Sequence, residues 1–409
     1  MLKDDCLYIV KEAIARVLPD EAVKRALGGR EFPDGRLILV SVGKAAWSMA
    51  SAAHSVLGTR IDRGIVITKH GYSKGAIGDF SVREAGHPVP DADTFSATRE
   101  ALELTRGLAP EDTVLFLLSG GGSALFEAPV IPEDELRDIT EQLLACGADI
   151  VEMNTVRKRL SGVKGGRFAR HCAPARVFTV VLSDIIGDPL DMIASGPAYP
   201  DASTCADAVR IAEKYALHLS DAAWAALKTE TPKTLSNTET HITGSVRELC
   251  AAAAGACREL GYEPQVLTDC LDCEAREAGR FLASIARSHQ NAGRSIAFIA
   301  GGETVVHITG RGRGGRNQEL ALAAADGIAG LEDTAVFSVG SDGTDGPTDA
   351  AGGYADGGSL AVLRALGFDT YDVLRRNDSY TALKAVDSLI FTGATGTNVN
   401  DVAVILIKR

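Results

Sequence analysis

Short apolar runs, five to seven residues long and each closed by a glycine-bearing or polar loop, recur along most of this chain. They constrain its fold more than any other feature. Arg36–Val42, Gly64–Thr68, Thr113–Leu118 and Val177–Leu182 show little of the polar alternation of a half-solvated strand. Such runs suit strands of a parallel sheet, whose faces are both covered by helices. Helix-prone segments follow them: 45–57, a stretch after Asp91 reaching about Leu108, and 133–146 started by Pro132. The pattern predicts an α/β layer structure. In such a sheet the loops after the strands share one edge, where ligands bind.

Those loops carry unusual chemistry. Gly43-Lys44 puts a cation at a predicted helix start, yet it is no Walker A loop, because only one glycine is present and Ala45 stands where Ser or Thr would be needed. Ser119-Gly120-Gly121-Gly122-Ser123 can turn successive N–H groups into an anion-binding nest. His87 lies in a proline-rich turn and reads mainly as structural.

The stretch Asn154–Pro197 concentrates most of the signal. Its first part, to Arg170, holds six basic residues (Arg157, Lys158, Arg159, Lys164, Arg167 and Arg170) and no acid. It runs through the strand 177–182 into Asp184 and Asp188, four apart on a loop containing Gly187. Lys and Arg bind phosphate oxygens, and Asp oxygens hold Mg²⁺, so a metal–polyphosphate ligand fits. A solvated basic face and an aspartate turn former are the alternatives for each half alone.

The polar stretch Thr229–Thr240, with Pro232, reads as a boundary dividing residues 1–235 from 236–409. Beyond it alternation resumes: helix 246–260, strand 264–268, helix 274–290, strands 295–300 and 303–309. Gly310, Gly312 and Gly315 then give a formal G-x-G-x-x-G between a strand and a helix, the dinucleotide context. Arg311, Arg313 and Arg316 crowd that loop and suit a direct grip on a polyanion. A strand at 334–339 ends in a turn holding Asp342, Asp345 and Asp349, and a terminal strand spans 402–408.

Lys+Arg of 42 against Asp+Glu of 54, a net charge of −12, argues against nucleic acid as a partner. No apolar run approaches the ~20 residues that cross a bilayer, and the N-terminus lacks a signal-peptide core, so a cytoplasmic protein without membrane association is expected. The eight cysteines, Cys270-x-x-Cys273 included, read as reduced thiols. Cations, nests and metal-type carboxylates are what phosphoryl transfer requires, and no Ser/His/Asp set or H-E-x-x-H competes.

The segments S-V-G-K-A-A (41–46), A-G-H-P-V-P-D (85–91), L-S-G-G-G-S-A (118–124), N-T-V-R-K-R-L-S-G-V-K-G-G (154–166), L-S-D-I-I-G-D-P-L (182–190), A-S-G-P (194–197), G-G-E-T (301–304), G-G-R-N-Q-E (314–319), G-S-D-G-T-D-G-P-T-D-A-A-G (340–352) and T-G-T-N-V-N-D (395–401) closely resemble the glycerate 2-kinase family, whose C-terminal half is the MOFRL domain. Members have also been labelled hydroxypyruvate reductases. The resemblance spans almost the whole chain and is weakest from about 200 to 295.

It implies two α/β domains: an N-terminal Rossmann-like one with a mostly parallel sheet and helices on both faces, and a smaller C-terminal MOFRL-type one, with the active site in the cleft between them. It implies phosphorylation of D-glycerate on its 2-hydroxyl by ATP, with Mg²⁺ or another divalent cation, and it allows a homodimer. Lys44 and Arg316 would stabilise the transferring phosphate. Asp188, with Asp184, would hold magnesium or orient the hydroxyl, and Asp342 and Asp345 are further candidates. Ser119, Gly120, Gly121, Gly122 and Ser123, with Asn154, Arg157 and Lys164, would bind the glycerate carboxylate or the nucleotide phosphates. The rivals are an NAD(P)-dependent hydroxypyruvate reductase, resting on the three loop glycines, and a binding module without turnover.

Overall fold

The computed structural model describes residues 2–409, which form two compact α/β units. The first unit comprises Ala22–Leu182 and Asp188–Thr243. Its sheet holds β1 (Leu37–Val42), β2 (Arg63–Lys69), β3 (Ser81–Ala85), β4 (Thr113–Leu118), β5 (Arg176–Leu182) and β6 (Thr238–Gly244), in the order β3-β2-β1-β4-β5-β6. The β1–β2, β1–β4, β2–β3 and β4–β5 pairs are parallel. β6 keeps the same sense, since the bonds Val177 N–H to Asn237 O and Ser183 N–H to Gly244 O advance together along both strands.

Every residue of β1 and β4 is buried, as their largely apolar sequences require. Leu37, Leu39, Leu115, Leu117 and Phe178 pack under the helices Pro19–Leu27 and Ala46–Leu57. On the other face Phe116, Phe126 and Phe168 meet with ring centroids 4.9–5.8 Å apart. The strand order reverses between β1 and β4, which makes their carboxyl ends the ligand edge of a doubly wound sheet.

The second unit gathers the N-terminal segment up to Glu21, Ser183–Gly187 and Gly244–Arg409. Its mixed sheet holds β7 (Glu263–Leu271), β8 (Ile296–Gly302), β9 (Thr334–Gly340), β10 (Gly352–Asp356), β11 (Leu389–Ile390) and β12 (Asp401–Ile407), in the order β11-β10-β9-β12-β8-β7. β12 lies antiparallel between β8 and β9, and β7 runs parallel to β8. The helices Leu2–Arg16 and Val246–Glu259 cover one face, and Ala275–His289 and Arg316–Gly327 cover the other.

Three expectations are corrected. The boundary at 235/236 falls inside the first unit's reach, because β6 completes that unit's sheet. Its polarity is that of an edge strand with solvent beside it, not of a linker. The helix Leu2–Arg16 belongs to the second unit, where Cys6, Ile9, Val10, Ala13 and Ile14 are buried and Asp5 accepts hydrogen bonds from Tyr262 Oη (2.6 Å) and Lys408 Nζ (2.7 Å). No strand forms over 303–309, where a lone bridge joins Val305 to Glu274. That segment docks on the 375–378 turn instead: the Thr309 and Gly310 N–H groups both donate to Asn377 Oδ1 at 2.8 Å. Among the described residues no helix is long and apolar enough to cross a membrane.

Candidate functional site

At the reversal point of the first sheet, two strand-end loops are stitched by their backbones. Lys44 N–H donates to Gly120 O (2.9 Å), Ser119 N–H to Val42 O (3.0 Å), and Ala45 N–H to Ser119 Oγ (3.1 Å). A Cβ on Gly43 (φ +125) would fall 2.2 Å from Ser119 Oγ, so only glycine allows this approach. The Ser119 hydroxyl is therefore spent on the turn. Gly120 and Gly121 find no acceptor for their N–H groups among the described residues, and Gly121 is left-handed (φ +87). This is the nest geometry expected of the loop. Lys44 is half-buried beside it, its Cγ 3.3 Å from where a Gly121 Cβ would sit. His87, from the turn after β3, flanks the same point. Burial, then the charges of Lys44 and Lys69, hold its pKa below the ordinary histidine value.

A hydroxyl chain adjoins the nest. Ser195 Oγ donates to Asn154 Oδ1 (3.0 Å) and lies 3.1 Å from Ser123 Oγ. Ala194 and Ser195 have φ of 50° and 61°, a left-handed stretch costing on the order of 1 kcal/mol per non-glycine residue. Strain at a buried hydroxyl is a mark of a ligand site. Arg157 stands one turn from Asn154 on the same helix face, with a buried Nε that has no partner.

The rest of the basic run is structural. Lys158 pairs with Asp191 (3.3 Å) and Asp201 (3.2 Å). Arg159 is fully buried against Thr155 O and Ser203, and Arg167 donates to the Arg159 and Ser161 carbonyls. Lys164, expected to touch ligand, is 0% exposed, 2.7 Å from an equally buried Glu127, and donates to Phe126 O at 2.9 Å. It is withdrawn from the ligand set, because a substrate anion cannot reach it. Lys158, Arg159 and Lys164 neutralise carboxylates inside the fold, and Arg167 ties down backbone carbonyls.

Asp188 is half-buried with φ 51°, and its Oδ1 is buried without a partner. An orphaned carboxylate oxygen on strained backbone fits a cation or a hydroxyl donor. Magnesium usually takes only one or two protein carboxylates together with substrate phosphates, so this oxygen suits it. Among the described residues, the one group with three possible metal donors within 4.8 Å is His70, Asp91 and Asp93, which includes none of the expected aspartates.

In the second unit, Arg316 opens the helix Arg316–Gly327. Its Nε and Nη2 donate to Asp401 (2.5 and 3.0 Å), and Nη1 donates to Glu303 (2.8 Å). These contacts use three of the five guanidinium N–H groups. Asn400 Nδ2 donates to Glu303 Oε2 (3.0 Å) and to the Asp184 carbonyl (3.2 Å). Burial alone would lower the Arg316 pKa, but the Asp401 hydrogen bond and charge more than offset it. Burial raises Asp401 to about 6, with Asp345 pushing the same way and Arg316 opposing.

Asp345, expected as a metal ligand, is 2% exposed and accepts from Asn317 N–H (3.1 Å) and Gln318 N–H (2.9 Å). It caps the helix that carries Arg316 and is corrected to that role. Asp342 is half-buried, takes the Thr344 N–H (2.9 Å), and keeps its place as a candidate. Glu303 and Asp401, which hold the Arg316 side chain, are not among the residues the sequence singles out. Their signal was an acid immediately after, or at the first position of, a buried strand.

The glycine-rich loop contradicts a dinucleotide site. No strand precedes it. Cβ atoms on Gly310 and Gly312 would lie 2.2 and 2.6 Å from Arg376 O, and one on Gly315 would lie 2.3 Å from the Asp345 carboxyl carbon. All three glycines make room for this chain's own atoms, not for a pyrophosphate.

A doubly wound α/β unit with a strand-end nest and lysine, joined to a mixed-sheet unit that holds a carboxylate-clamped arginine, defines the class. Residues 5–228 match the domain of unknown function DUF4147, and residues 296–401 match the MOFRL family. The chain belongs to the family of glycerate 2-kinases built from these two domains. It is 53% identical to the D-glycerate 2-kinase of Thermotoga maritima over 99% of this chain and 98% of that one. It is 39% identical to the glycerate 2-kinase of Pyrococcus horikoshii, covering 98% and 96%. The crystal structure of the Thermotoga maritima glycerate kinase superposes with a TM-score of 0.96 over 99% of both chains. An Agrobacterium vitis protein with the provisional name hydroxypyruvate reductase is 40% identical, covering 98% and 93%.

Proposed function

We propose that this protein transfers the terminal phosphate of ATP to the 2-hydroxyl of D-glycerate, giving 2-phosphoglycerate and ADP. Near-complete alignment with a D-glycerate 2-kinase at 53% identity carries this reading. The strand-end chemistry supports it. Lys44 offsets charge on the transferring phosphoryl group, and the N–H groups of Gly120 and Gly121 bind phosphate or carboxylate oxygens. Ser123, Asn154 and Arg157, with Ser195, orient the glycerate. Arg316 presents its remaining N–H groups to phosphate while Asp401 and Glu303 fix its plane. Asp188, with its unpartnered buried oxygen, would hold Mg²⁺. Bound there, the ion would supply positive charge to the phosphate oxygens.

The reductase reading loses its sequence support, since the three glycines that suggested it are occupied by the fold. A paired assay tests the conclusion. With D-glycerate, ATP and Mg²⁺, ADP forms only when glycerate is present; with hydroxypyruvate and NADH, absorbance at the NADH band stays constant. NADH consumption without glycerate-dependent ADP contradicts the kinase reading.

A further inference from the structure

His87 has a position and a freedom that its fold does not explain. His171 Nε2 lies 2.9 Å from Leu102 O and His70 Nε2 lies 2.9 Å from Asp91 Oδ2, while His54, whose Nδ1 is buried without a partner, packs edge-on against Phe80. The half-buried His87 ring makes no hydrogen bond or ion pair with any described residue. Its edge faces the nest. The point where a Gly121 Cβ would sit is 3.0 Å from His87 Cδ2, 3.1 Å from Nε2 and 3.3 Å from Lys44 Cγ. Because residue 121 has no side chain, the His87 ring packs directly on its backbone, which places Nε2 at the rim of the nest and beside the lysine stem. The nest lies at the reversal point of the sheet, where this fold binds its ligands.

We propose that His87 Nε2 is the general base that accepts the hydroxyl proton of the acceptor alcohol, an inference that rests on the kinase reading above. The alcohol oxygen forms its bond to the terminal phosphorus. The bond from that phosphorus to the bridging oxygen breaks, its electron pair leaves with ADP, and the hydroxyl proton passes to Nε2. Lys44 and Lys69 are the charged groups that act on the ring, and with burial they keep it neutral and able to accept a proton near pH 7. The same lysines would repel the imidazolium once formed, which favours its deprotonation to solvent after turnover.

The test is kcat and kcat/KM for D-glycerate from pH 5 to 9 in the full-length wild type, in His87→Gln, and in His87→Ala with and without added imidazole. In the wild type, log kcat/KM rises with pH and levels off, with an inflection below the free histidine value of about 6.5. In His87→Gln, kcat falls by about 10²–10⁴-fold, the inflection is lost, and KM for ATP stays within about twofold. Imidazole restores part of the rate in His87→Ala. The proposal is overturned if His87→Gln keeps kcat within about threefold or keeps the acid inflection, which Asp401 in the second unit would then supply. It is equally overturned if only KM for glycerate rises, since His87 would then merely anchor substrate. Should both variants fail to fold, a wild-type profile that is flat between pH 5 and 7 overturns it. No glycerate-dependent turnover by the wild type overturns both this inference and the kinase reading.

Discussion

Lys44 and Lys164 illustrate how much a residue's surroundings decide. Both follow a strand- or helix-end glycine or serine motif in the chain, yet one is half-buried at a ligand edge and the other is sealed against Glu127. Lys44→Ala is expected to lower kcat by about 10²–10³-fold or more with an unchanged melting temperature, measured by the ADP assay and thermal unfolding. Lys164→Ala is expected to cost roughly 3–5 kcal/mol in urea unfolding, because it strands a buried carboxylate; Lys164→Met with Glu127→Leu should recover most of the loss. Asp401 gives a pH prediction. Its folded pKa, about 6, lies above the unfolded value, so the folded state binds more protons between roughly pH 4 and 6. Stability attributable to this group is present at low pH and is lost as pH rises through that window. Relative to Asp401→Asn, the wild type should therefore lose about 1–3 kcal/mol between pH 4 and 7. An opposite slope in the difference would show the Arg316 pair dominating burial.

Elements were legible where periodicity and burial agree. Parallel strands such as β1 and β4 announce themselves because helices cover both faces, so every residue is buried and all but Ser41 and Thr113 are apolar. β6 was hidden because an edge strand is half wet and reads as a polar linker. Residues 303–309 do not form the expected strand because no neighbouring strand takes their backbone; Asn377 does, and Ile308 is left 82% exposed. The basic run after Asn154 was over-read because composition cannot tell a cation aimed at ligand from one neutralising Asp201 or Glu127. Glu303 and Asp401 were under-read because single acids at strand ends carry no pattern of their own. At this scale, Gly310→Ala should destabilise the second unit, since the new methyl would meet Arg376 O at 2.2 Å. A lowered melting temperature checks it, and wild-type stability would mean that the 310–315 loop is looser than described.

The whole chain is woven rather than strung. It starts in the second unit, enters the first at Ala22, returns for Ser183–Gly187, goes back at Asp188 and leaves at Gly244. The segment carrying Asp184 and Asp188 is thus shared by the two units, and neither is a continuous stretch of sequence. Removing residues 1–17 should uncover the apolar face lined by Leu249, Ala253, Phe337 and Val404. Increased dye binding to exposed apolar surface and an earlier unfolding transition would report it, whereas an unaltered transition would show that the helix is dispensable. Under the proposed activity the phosphoryl group of ATP ends on the 2-hydroxyl oxygen of glycerate. Phosphorus NMR of a completed reaction of full-length protein with D-glycerate, ATP and Mg²⁺ tests it most directly. One 2-phosphoglycerate signal per ADP formed is the predicted result; 3-phosphoglycerate, or ADP with inorganic phosphate and no phosphoglycerate, would contradict it.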